Sequence, residues 1–249
     1  MVAIIIKRVG EMGEKKPMPV HVAVIMDGNG RWAEMKGVPK LLGHNQGTIA
    51  MENIVRKADD MGIRYLTVYA FSTENWKRSS EEVGGIFRLL VKFVKTELRE
   101  LKERNVKVNI LGDWHDRIPE DAVASIRETL ESTQKNTGLV FNIALNYGSR
   151  AEIVRGVNKL LSERDRGEQI TEEDISASLF TGDENGNIPD PDLIIRTSGE
   201  ERLSNFLLWQ AAYSEFAFTD TLWPDFMPEE FESIIEEYRT RERRYGGRL

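Results

Sequence analysis

Short apolar runs alternate with longer segments of helical periodicity along most of this chain. Such alternation predicts a largely parallel sheet, because parallel strands need crossover connections and helices then cover both faces of the sheet. The runs are almost continuously apolar, which is typical of strands buried on both sides. The predicted strands cover residues 20–26, 65–71, 106–111, 139–146, 193–197 and 216–218, and the predicted helices cover residues 45–61, 82–104, 119–136, 150–164, 205–212 and 228–243.

The chain shows no break in composition that would divide it into two units. Its 249 residues suffice for one large α/β domain, and further strand patterns follow the loop-rich stretch 181–191. We therefore expect a single domain over residues 20–249, with a mainly parallel six-stranded sheet flanked by helices. Residues 1–19 contain Gly10, Gly13, Pro17 and Pro19, and are predicted to form a mobile N-terminal arm.

Charge and composition exclude several classes of protein. A formal net charge of −7 argues against nucleic acid as the main partner, because binding to the phosphate backbone needs a basic face. The absence of cysteine excludes disulfides and thiolate chemistry, and agrees with a cytoplasmic location. The apolar run at residues 4–6 is too short for a signal peptide or a membrane span, so no transmembrane segment is predicted.

The first predicted strand is followed by a turn that combines glycines with charged residues, Asp27-Gly28-Asn29-Gly30-Arg31. Glycines let backbone N–H groups approach an anion closely, and an oncoming helix N-terminus favours negative charge. A carboxylate beside such a site would repel a phosphate unless a cation lay between them. The turn therefore indicates a metal-bridged diphosphate. The simpler interpretation is a glycine turn capped by Asp27 with a solvated Arg31.

Residues 28–33 also fit the G-x-G-x-x-A fingerprint of dinucleotide-binding proteins. That motif needs a helix that begins at once and an acidic residue at the end of the next strand. Gly37 and Pro39 interrupt the chain before a convincing helix, and the next predicted strand ends in Ser72-Thr73. The sequence therefore disfavours a dinucleotide site.

Three arginines follow predicted strands: Arg31, Arg78 and Arg196. In a parallel sheet the carboxyl ends of the strands share one edge, where open α/β folds bind their ligands. Guanidinium groups suit phosphate oxygens. The pattern predicts an anion site at this edge, although each arginine taken alone could be a solvated surface residue.

The predicted helix 82–104 is apolar over more of its surface than one stripe requires. One interpretation is a helix sandwiched in a core or at a dimer interface. The other is that one face lines an apolar cavity for a greasy ligand.

Taken together, the motifs resemble those of the cis-prenyltransferase family, in the family's order from about residue 20 to the C-terminus. The resemblance rests on HVAVIMDGNGRWA at 21–33, Gly43-His44, YAFSTENW at 69–76, NIALNYG at 142–148, DLIIRTSGE at 192–200, LSNFLLWQ at 203–210 and LWPDF at 222–226.

This resemblance implies an enzyme that condenses isopentenyl diphosphate repeatedly, with cis double bonds, onto an allylic primer such as farnesyl diphosphate. The implied product is a long-chain polyprenyl diphosphate, undecaprenyl diphosphate by default, the precursor of a cell-wall lipid carrier. The family also implies Mg²⁺, an apolar product tunnel, a homodimer and transient membrane contact as the product is released. The main alternative is a non-catalytic, prenyl-diphosphate-binding subunit of a two-component prenyltransferase, which the presence of Asp27, Arg31, His44 and Asn75 disfavours.

The resemblance also assigns roles to residues. The catalytic residues it implies are Asp27 and Asn75, and the metal ligands are Asp27 and Glu215. The allylic diphosphate is assigned to Gly28, Asn29, Gly30, Arg31 and His44, and isopentenyl diphosphate to Arg196, Arg202 and Ser204. Further substrate-binding positions are Trp32, Lys40 (where many relatives carry arginine), Ser72, Thr73, Glu74, Trp76, Arg78 and Leu203, together with Arg244 and Gly246, which reach the partner subunit's site.

Overall fold

The computed structural model describes residues 15–163, 165 and 167–241, and within them it contains one six-stranded sheet in which all neighbouring strands are parallel. The strand order is β3-β4-β2-β1-β5-β6. This arrangement confirms the predicted fold class. The strands are β1 (His21–Ile25), β2 (Tyr65–Ser72), β3 (Lys107–Leu111), β4 (Val140–Tyr147), β5 (Leu193–Arg196) and β6 (Glu215–Phe218).

Helices and connecting segments cover both faces of the sheet. Alternate residues of β1 point to opposite faces, so that Val22 and Val24 join one apolar core while Ala23 and Ile25 join another. The larger core packs against four of the helices, α2, α3, α4 and α7. The α-helices are α1 (Asn29–Met35), α2 (Lys40–Asp60), α3 (Ser80–Glu103), α4 (Glu120–Thr133), α5 (Ser149–Glu163), α6 (Glu172–Ser178) and α7 (Pro228–Thr240).

The prediction of no helix directly after Gly28 is wrong. α1 begins at Asn29 and completes seven residues before Gly37, whose φ of +65° ends it. α2 also begins earlier than predicted, at Lys40 with Pro39 as its N-cap, since proline's fixed φ suits the start of a helix. His44 therefore lies within α2, whereas the predicted helix begins one residue after it.

The predicted helix 205–212 is wrong as well. Ser204, Asn205 and Leu207 have positive φ values of 49°, 65° and 44°, which no right-handed helix tolerates. The segment forms turns and a short 3₁₀ helix at Gln210–Tyr213 instead. The structure adds α6 (Glu172–Ser178), which the periodicity did not indicate and which a Thr171–Asp174 capping box begins.

α3 is the longest helix, at 24 residues, and begins where the Ser79 hydroxyl accepts a hydrogen bond from the Glu82 backbone N–H. Acidic residues in its first turn, Glu81 and Glu82, interact favourably with the helix dipole. Neither α3 nor any other helix within the described residues is long and apolar enough to cross a bilayer.

Most of the predicted N-terminal arm lies outside the described residues, which begin at Lys15. The Lys16 backbone N–H donates to the Arg239 carbonyl at 2.8 Å, and the Arg239 Nε donates to the Lys16 carbonyl at 3.0 Å. Residue 16 is thus bonded to α7 and, through its ammonium group, to Glu215.

A buried chain of hydrogen bonds crosses four strands of the sheet. The His21 Nδ1 donates to the Pro189 carbonyl at 2.6 Å, which leaves Nε2 to accept from the Thr67 hydroxyl at 2.7 Å. The Asn142 amide donates to Thr67 Oγ1 at 3.0 Å, and the Asn109 amide donates to Asn142 Oδ1 at 3.2 Å. This arrangement needs a neutral imidazole, and burial lowers the pKa of His21 to about 4 although the Pro189 bond opposes the shift.

Because the pKa of His21 lies near 6.5 in the unfolded chain and about 4 in the folded chain, the unfolded chain binds more protons between these values. Stability should therefore fall as the pH drops through this window, by about 2 kcal/mol between pH 7 and pH 5. Urea unfolding at the two pH values measures the loss.

The exposed His115 supplies a matched control, so that His115→Gln should lose as much stability as the unmodified chain. His21→Gln, whatever its stability at pH 7, should lose less between the two pH values. An equal loss in His21→Gln would contradict the assignment.

Candidate functional site

Asp27 stands immediately beyond β1, at the carboxyl edge of the sheet, and its backbone is fixed on both sides. Its N–H donates to Thr197 Oγ1 at 3.0 Å, and its carbonyl accepts from the Thr197 hydroxyl at 2.7 Å and from the Trp223 N–H at 3.0 Å. Gly28 follows with a φ of +118°, a conformation that favours glycine, and caps α1. The side chain of Asp27 is thereby aimed along the edge where β5 ends.

Two guanidinium groups face the Asp27 carboxylate. Arg196 Nη2 lies 2.8 Å from Oδ2, and Arg31 Nη2 lies 3.5 Å from the same oxygen. Partial burial opposes ionisation of this carboxyl, but the hydrogen bond and charge of Arg196, with the charge of Arg31, hold its pKa below the usual range. Asp27 is therefore ionised at neutral pH.

Arg196 is almost completely buried and ties the strand edge to the following loop. Its Nη1 donates to Ser204 Oγ at 2.8 Å and to the Arg202 carbonyl. Within the described residues its Nε is buried and has no hydrogen-bond partner. The side chain of Arg202 pairs with Glu200, and Leu203 packs partly buried against the smaller core.

Arg31 reaches the same loop from α1. Its Nη1 donates to the Ser198 carbonyl at 2.9 Å and lies 3.7 Å from Glu200, and its Nη2 donates to the Ser198 hydroxyl. Sequence reasoning gave Thr197 and Ser198 no role, although both belong to the motif at 192–200. Their contacts with Asp27 and Arg31 show that they shape the site.

A second charged cluster lies between α2 and α3, centred on Glu82. Arg78 Nη1 lies 2.9 Å from this carboxylate, His44 Nε2 lies 3.3 Å away and Lys40 Nζ lies 3.9 Å away. Burial lowers the pKa of His44, and although the bond to Glu82 opposes the shift, the neutral imidazole is favoured. The structure thus brings two of the three predicted arginines together on Asp27, and places Arg78 in this second cluster.

Glycines on α1 and α2 set the spacing of the site. A Cβ added to Gly43 would lie 2.2 Å from the Asn29 carbonyl oxygen, and one added to Gly47 would lie 2.2 Å from Asn29 Oδ1. These glycines therefore let α2 pack directly against Asn29. A Cβ added to Gly30, by contrast, would meet no atom within 4 Å, so the protein's own packing does not require glycine there.

A mainly apolar cavity of about 80 Å³ opens between α2 and α3. Asn29 and His44 form its polar margin, which joins it to the charged groups described above. The interpretation that one face of the long apolar helix lines a cavity is confirmed, whereas a product tunnel stays a prediction. The lining residues are Met26, Asn29, His44, Gly47, Thr48, Met51, Ala70, Ile86, Leu89, Leu90, Phe93 and Trp223.

The segment after β2 forms a 3₁₀ helix, Thr73–Lys77, rather than an open loop. Asn75 caps it, since Oδ1 accepts from the Ser72 N–H at 2.9 Å. Thr73 Oγ1 donates to Glu74 at 3.2 Å, and Glu74 also accepts from the Asn205 amide at 3.0 Å. The hydrogen bond to Asn205 joins this segment to the loop that follows Arg196.

Glu215 and Trp32 also lie apart from Asp27. Glu215 begins β6 and pairs in register with Leu193, whereas Arg196 pairs with Phe218 at the other end of these strands. Glu215 therefore lies at the amino edge of the sheet, bonded to Lys16, and one chain does not bring it to Asp27. The Trp32 indole donates to Asp225 at 2.8 Å, away from the charged pair.

Arg244 and Gly246, the predicted tail residues, lie outside the described residues. Across the part of the chain that the structure describes, no group of three or more acidic or histidine side chains could enclose a metal ion. A cation at Asp27 would therefore need further ligands beyond the acidic and histidine side chains of the described residues, such as water or a bound molecule.

Comparison with known proteins gives a consistent result. Residues 25–246 match the family model described as putative undecaprenyl diphosphate synthase. An isoprenyl transferase from Clostridium perfringens is 48% identical over 92% of this chain and 90% of its own length. The ditrans,polycis-undecaprenyl-diphosphate synthase ((2E,6E)-farnesyl-diphosphate specific) of Micrococcus luteus is also 48% identical, over 92% of both chains.

Among solved structures, lavandulyl diphosphate synthase from Lavandula x intermedia in complex with dimethylallyl diphosphate superposes with a TM-score of 0.88. It is 35% identical, and the match covers 92% of this chain and 99% of that one. The sequence matches and the shared fold agree with the motifs that surround Asp27. The chain therefore belongs to the undecaprenyl diphosphate synthase family of cis-prenyltransferases.

Proposed function

We propose that this prenyltransferase condenses isopentenyl diphosphate sequentially, with cis double bonds, onto an allylic primer, farnesyl diphosphate. The product proposed is undecaprenyl diphosphate, a precursor of the cell-wall lipid carrier. One observation carries the proposal: an ionised carboxylate held between two guanidinium groups stands beside an apolar cavity. A substrate with a diphosphate head and a hydrocarbon tail matches both features.

The two substrates are assigned to different parts of the site. The allylic diphosphate is proposed to bind at Gly28–Arg31 and His44, because Asn29 and His44 line the cavity that would take its hydrocarbon tail. Isopentenyl diphosphate is proposed to bind at Arg196, Arg202 and Ser204, because the Arg196 guanidinium contacts both Ser204 and the Asp27 carboxylate. Asp27 stands between the two.

Mg²⁺ is proposed as the cofactor, and the donor set at Asp27 fits it. Mg²⁺ is commonly bound through one or two carboxylates together with substrate phosphates. Asp27 supplies one ionised hard-oxygen ligand, and the diphosphate would supply others. When bound, the cation would neutralise charge on the departing diphosphate.

The chain's own residues support the remaining chemistry. The allylic carbon–oxygen bond breaks, the terminal alkene carbon of isopentenyl diphosphate bonds to that allylic carbon, and a proton leaves the adduct. Arg31 and Arg196 would stabilise the negative charge that develops on the leaving diphosphate. The apolar walls from α2 and α3 would exclude water, which otherwise captures an allylic cation.

Asn75 is proposed to act by orientation rather than as the base itself. Its amide is a poor base at neutral pH, and Oδ1 already accepts the Ser72 N–H. Held in this way, Asn75 could orient a water molecule, or the substrate's own diphosphate could accept the proton.

We further propose a homodimer with shared sites, in which residues 20–249 form the catalytic domain and residues 1–19 an arm. β6 is an edge strand, and Phe218 on it and Tyr213 before it are exposed large apolar residues. Arg244 and Gly246 are proposed to reach the isopentenyl diphosphate site of the second copy. Glu215 would take part in metal binding only through an arrangement that one chain does not contain.

A cytoplasmic location, with transient membrane contact during release of the apolar product, completes the proposal.

Incorporation of radiolabelled isopentenyl diphosphate into a product extractable with organic solvent tests the activity, with farnesyl diphosphate as primer and mass analysis of chain length. Asp27→Asn should lower turnover about a thousandfold, since the amide cannot supply the charge that the cation needs. Circular dichroism should show a folded variant, because the amide oxygen can still face Arg196. A carrier protein or non-catalytic subunit would bind prenyl diphosphates without any incorporation, and that outcome would refute the proposal.

The Gly30→Ala variant tests whether a diphosphate approaches the backbone at this position, without disturbing the packing of the protein. Because an added methyl group meets no protein atom within 4 Å, stability should be unchanged or rise by up to about 1 kcal/mol through helix propensity. The KM for the allylic diphosphate should rise about tenfold, since the methyl group obstructs approach of an anion to the backbone.

Gly43→Ala supplies the contrast, because its methyl group would lie 2.2 Å from the Asn29 carbonyl oxygen. That variant should lose about 2 kcal/mol in denaturant unfolding. Wild-type kinetics in Gly30→Ala would show that no ligand approaches there.

Deletion of residues 244–249 should lower turnover at least about tenfold by removing an arginine contact to a diphosphate, with little change in Tm. Deletion of 247–249 alone keeps Arg244 and Gly246 and serves as the matched control. Mixing the 244–249 deletion with Asp27→Asn chains should recover activity, because a mixed dimer would hold one intact site. No recovery in confirmed mixed dimers would argue against shared sites.

A further inference from the structure

Trp76 is held by residues that are distant from it in sequence. Its indole Nε1 donates to Asn146 Oδ1 at 2.7 Å. The Arg117 guanidinium lies over the ring, 4.4 Å from its centroid, and the Phe87 ring stacks near-parallel at 5.6 Å. A single indole thus receives a hydrogen bond acceptor, a cation and an aromatic face from three separate elements.

Asn146 joins Trp76 to the loop that follows β3. Its side-chain amide donates to the Asp113 carbonyl at 2.8 Å and to the Asp116 carbonyl at 3.2 Å, while its oxygen accepts from Trp76. The residue is buried, at the end of β4, and has a φ of +49°, which asparagine tolerates better than most residues. Arg117 belongs to the same loop, so both contacts to the indole depend on one arrangement of residues 113–117.

The segment that Trp76 belongs to needs such support. A five-residue 3₁₀ helix has few hydrogen bonds of its own and poor bond geometry. Trp76 follows Asn75 directly and precedes Arg78 by two residues, and Arg78 is paired with Glu82 of the second charged cluster. Contacts that hold the indole of Trp76 in place therefore also restrict the positions of Asn75 and Arg78.

We propose that Asn146 and Arg117 are positioning residues: by clamping Trp76 they set where Asn75 and Arg78 stand relative to the diphosphate site. This inference rests on the proposed function, in which Asn75 orients the proton acceptor, and on the family resemblance, which assigns Arg78 to substrate. Loss of the clamp leaves the Asp27 site intact and lets the 72–78 segment depart from its productive position. Small displacements of groups that position substrate are costly to turnover.

Two substitutions test the clamp by different routes. Asn146→Gly tolerates the positive φ and removes both the indole acceptor and the loop donors, so kcat/KM should fall about a hundredfold. Arg117→Gln removes the cation over the ring and should lower kcat/KM about fivefold, whereas Arg117→Lys keeps a cation and should stay within about twofold of wild type. Arg127→Gln, on the exposed side of α4, is the matched control and should behave as wild type.

Hydrogen exchange of residues 72–78 supplies a readout that does not depend on activity. Asn146→Gly and Arg117→Gln should accelerate exchange there and leave β1 and β5 protected, with Tm reported for each variant. Wild-type exchange and kinetics in Arg117→Gln, or equal losses in Arg117→Lys and Arg117→Gln, would overturn the clamp even if Asn146→Gly failed to fold. An unmodified chain without prenyltransferase activity would instead refute the proposed function, while exchange would still report on the clamp.

Discussion

The parallel pairing of β1 with β5 is the constraint on which the site depends. Ile25 pairs with Arg196, and Asp27 follows two residues later, so the register alone brings a carboxylate to a buried guanidinium. A slip of one residue would turn Arg196 to the opposite face of the sheet. The buried arginine would then lack its carboxylate, and a buried charge without a partner is destabilising. The strand register therefore places the charged pair, and the cost of separating the pair in turn disfavours other registers.

Strand positions were predictable from the sequence because buried parallel strands are continuous apolar runs, and their shared edge follows from the β–α alternation. The meeting of Arg31 and Arg196 could be anticipated in the same way. The short helix α1 could not, because its stability comes from tertiary packing: Gly43 and Gly47 of α2 lie against Asn29, and periodicity does not report that contact. The turns at 204–207 were missed because serine and leucine, two of the three residues there with positive φ, rarely adopt it.

The second charged cluster shows another limit of sequence reasoning. Arg78 stands four residues before Glu82 and pairs with it locally, whereas His44 and Lys40 of α2 reach Glu82 only because α2 packs on α3. Towards the other end of the two helices, Arg56 of α2 pairs with Glu97 and Glu100 of α3. The apolar cavity lies between the same two helices. Ion pairs thus tie α2 to α3 on both sides of a gap that mainly apolar side chains line.

A single chain does not bring Glu215, the second metal ligand that the resemblance implies, to Asp27. Glu215 lies at the amino edge of the sheet, and the short strand that it begins has an unpaired outer side within the described residues. A second copy that paired or packed along this edge would cover Phe218, which is otherwise exposed to solvent. Such an assembly would also give the tail beyond Arg241 a neighbouring diphosphate site to reach. In the proposed dimer, catalysis and association would be coupled: a diphosphate bound between Arg196 of one copy and Arg244 of the other would favour the dimer by mass action.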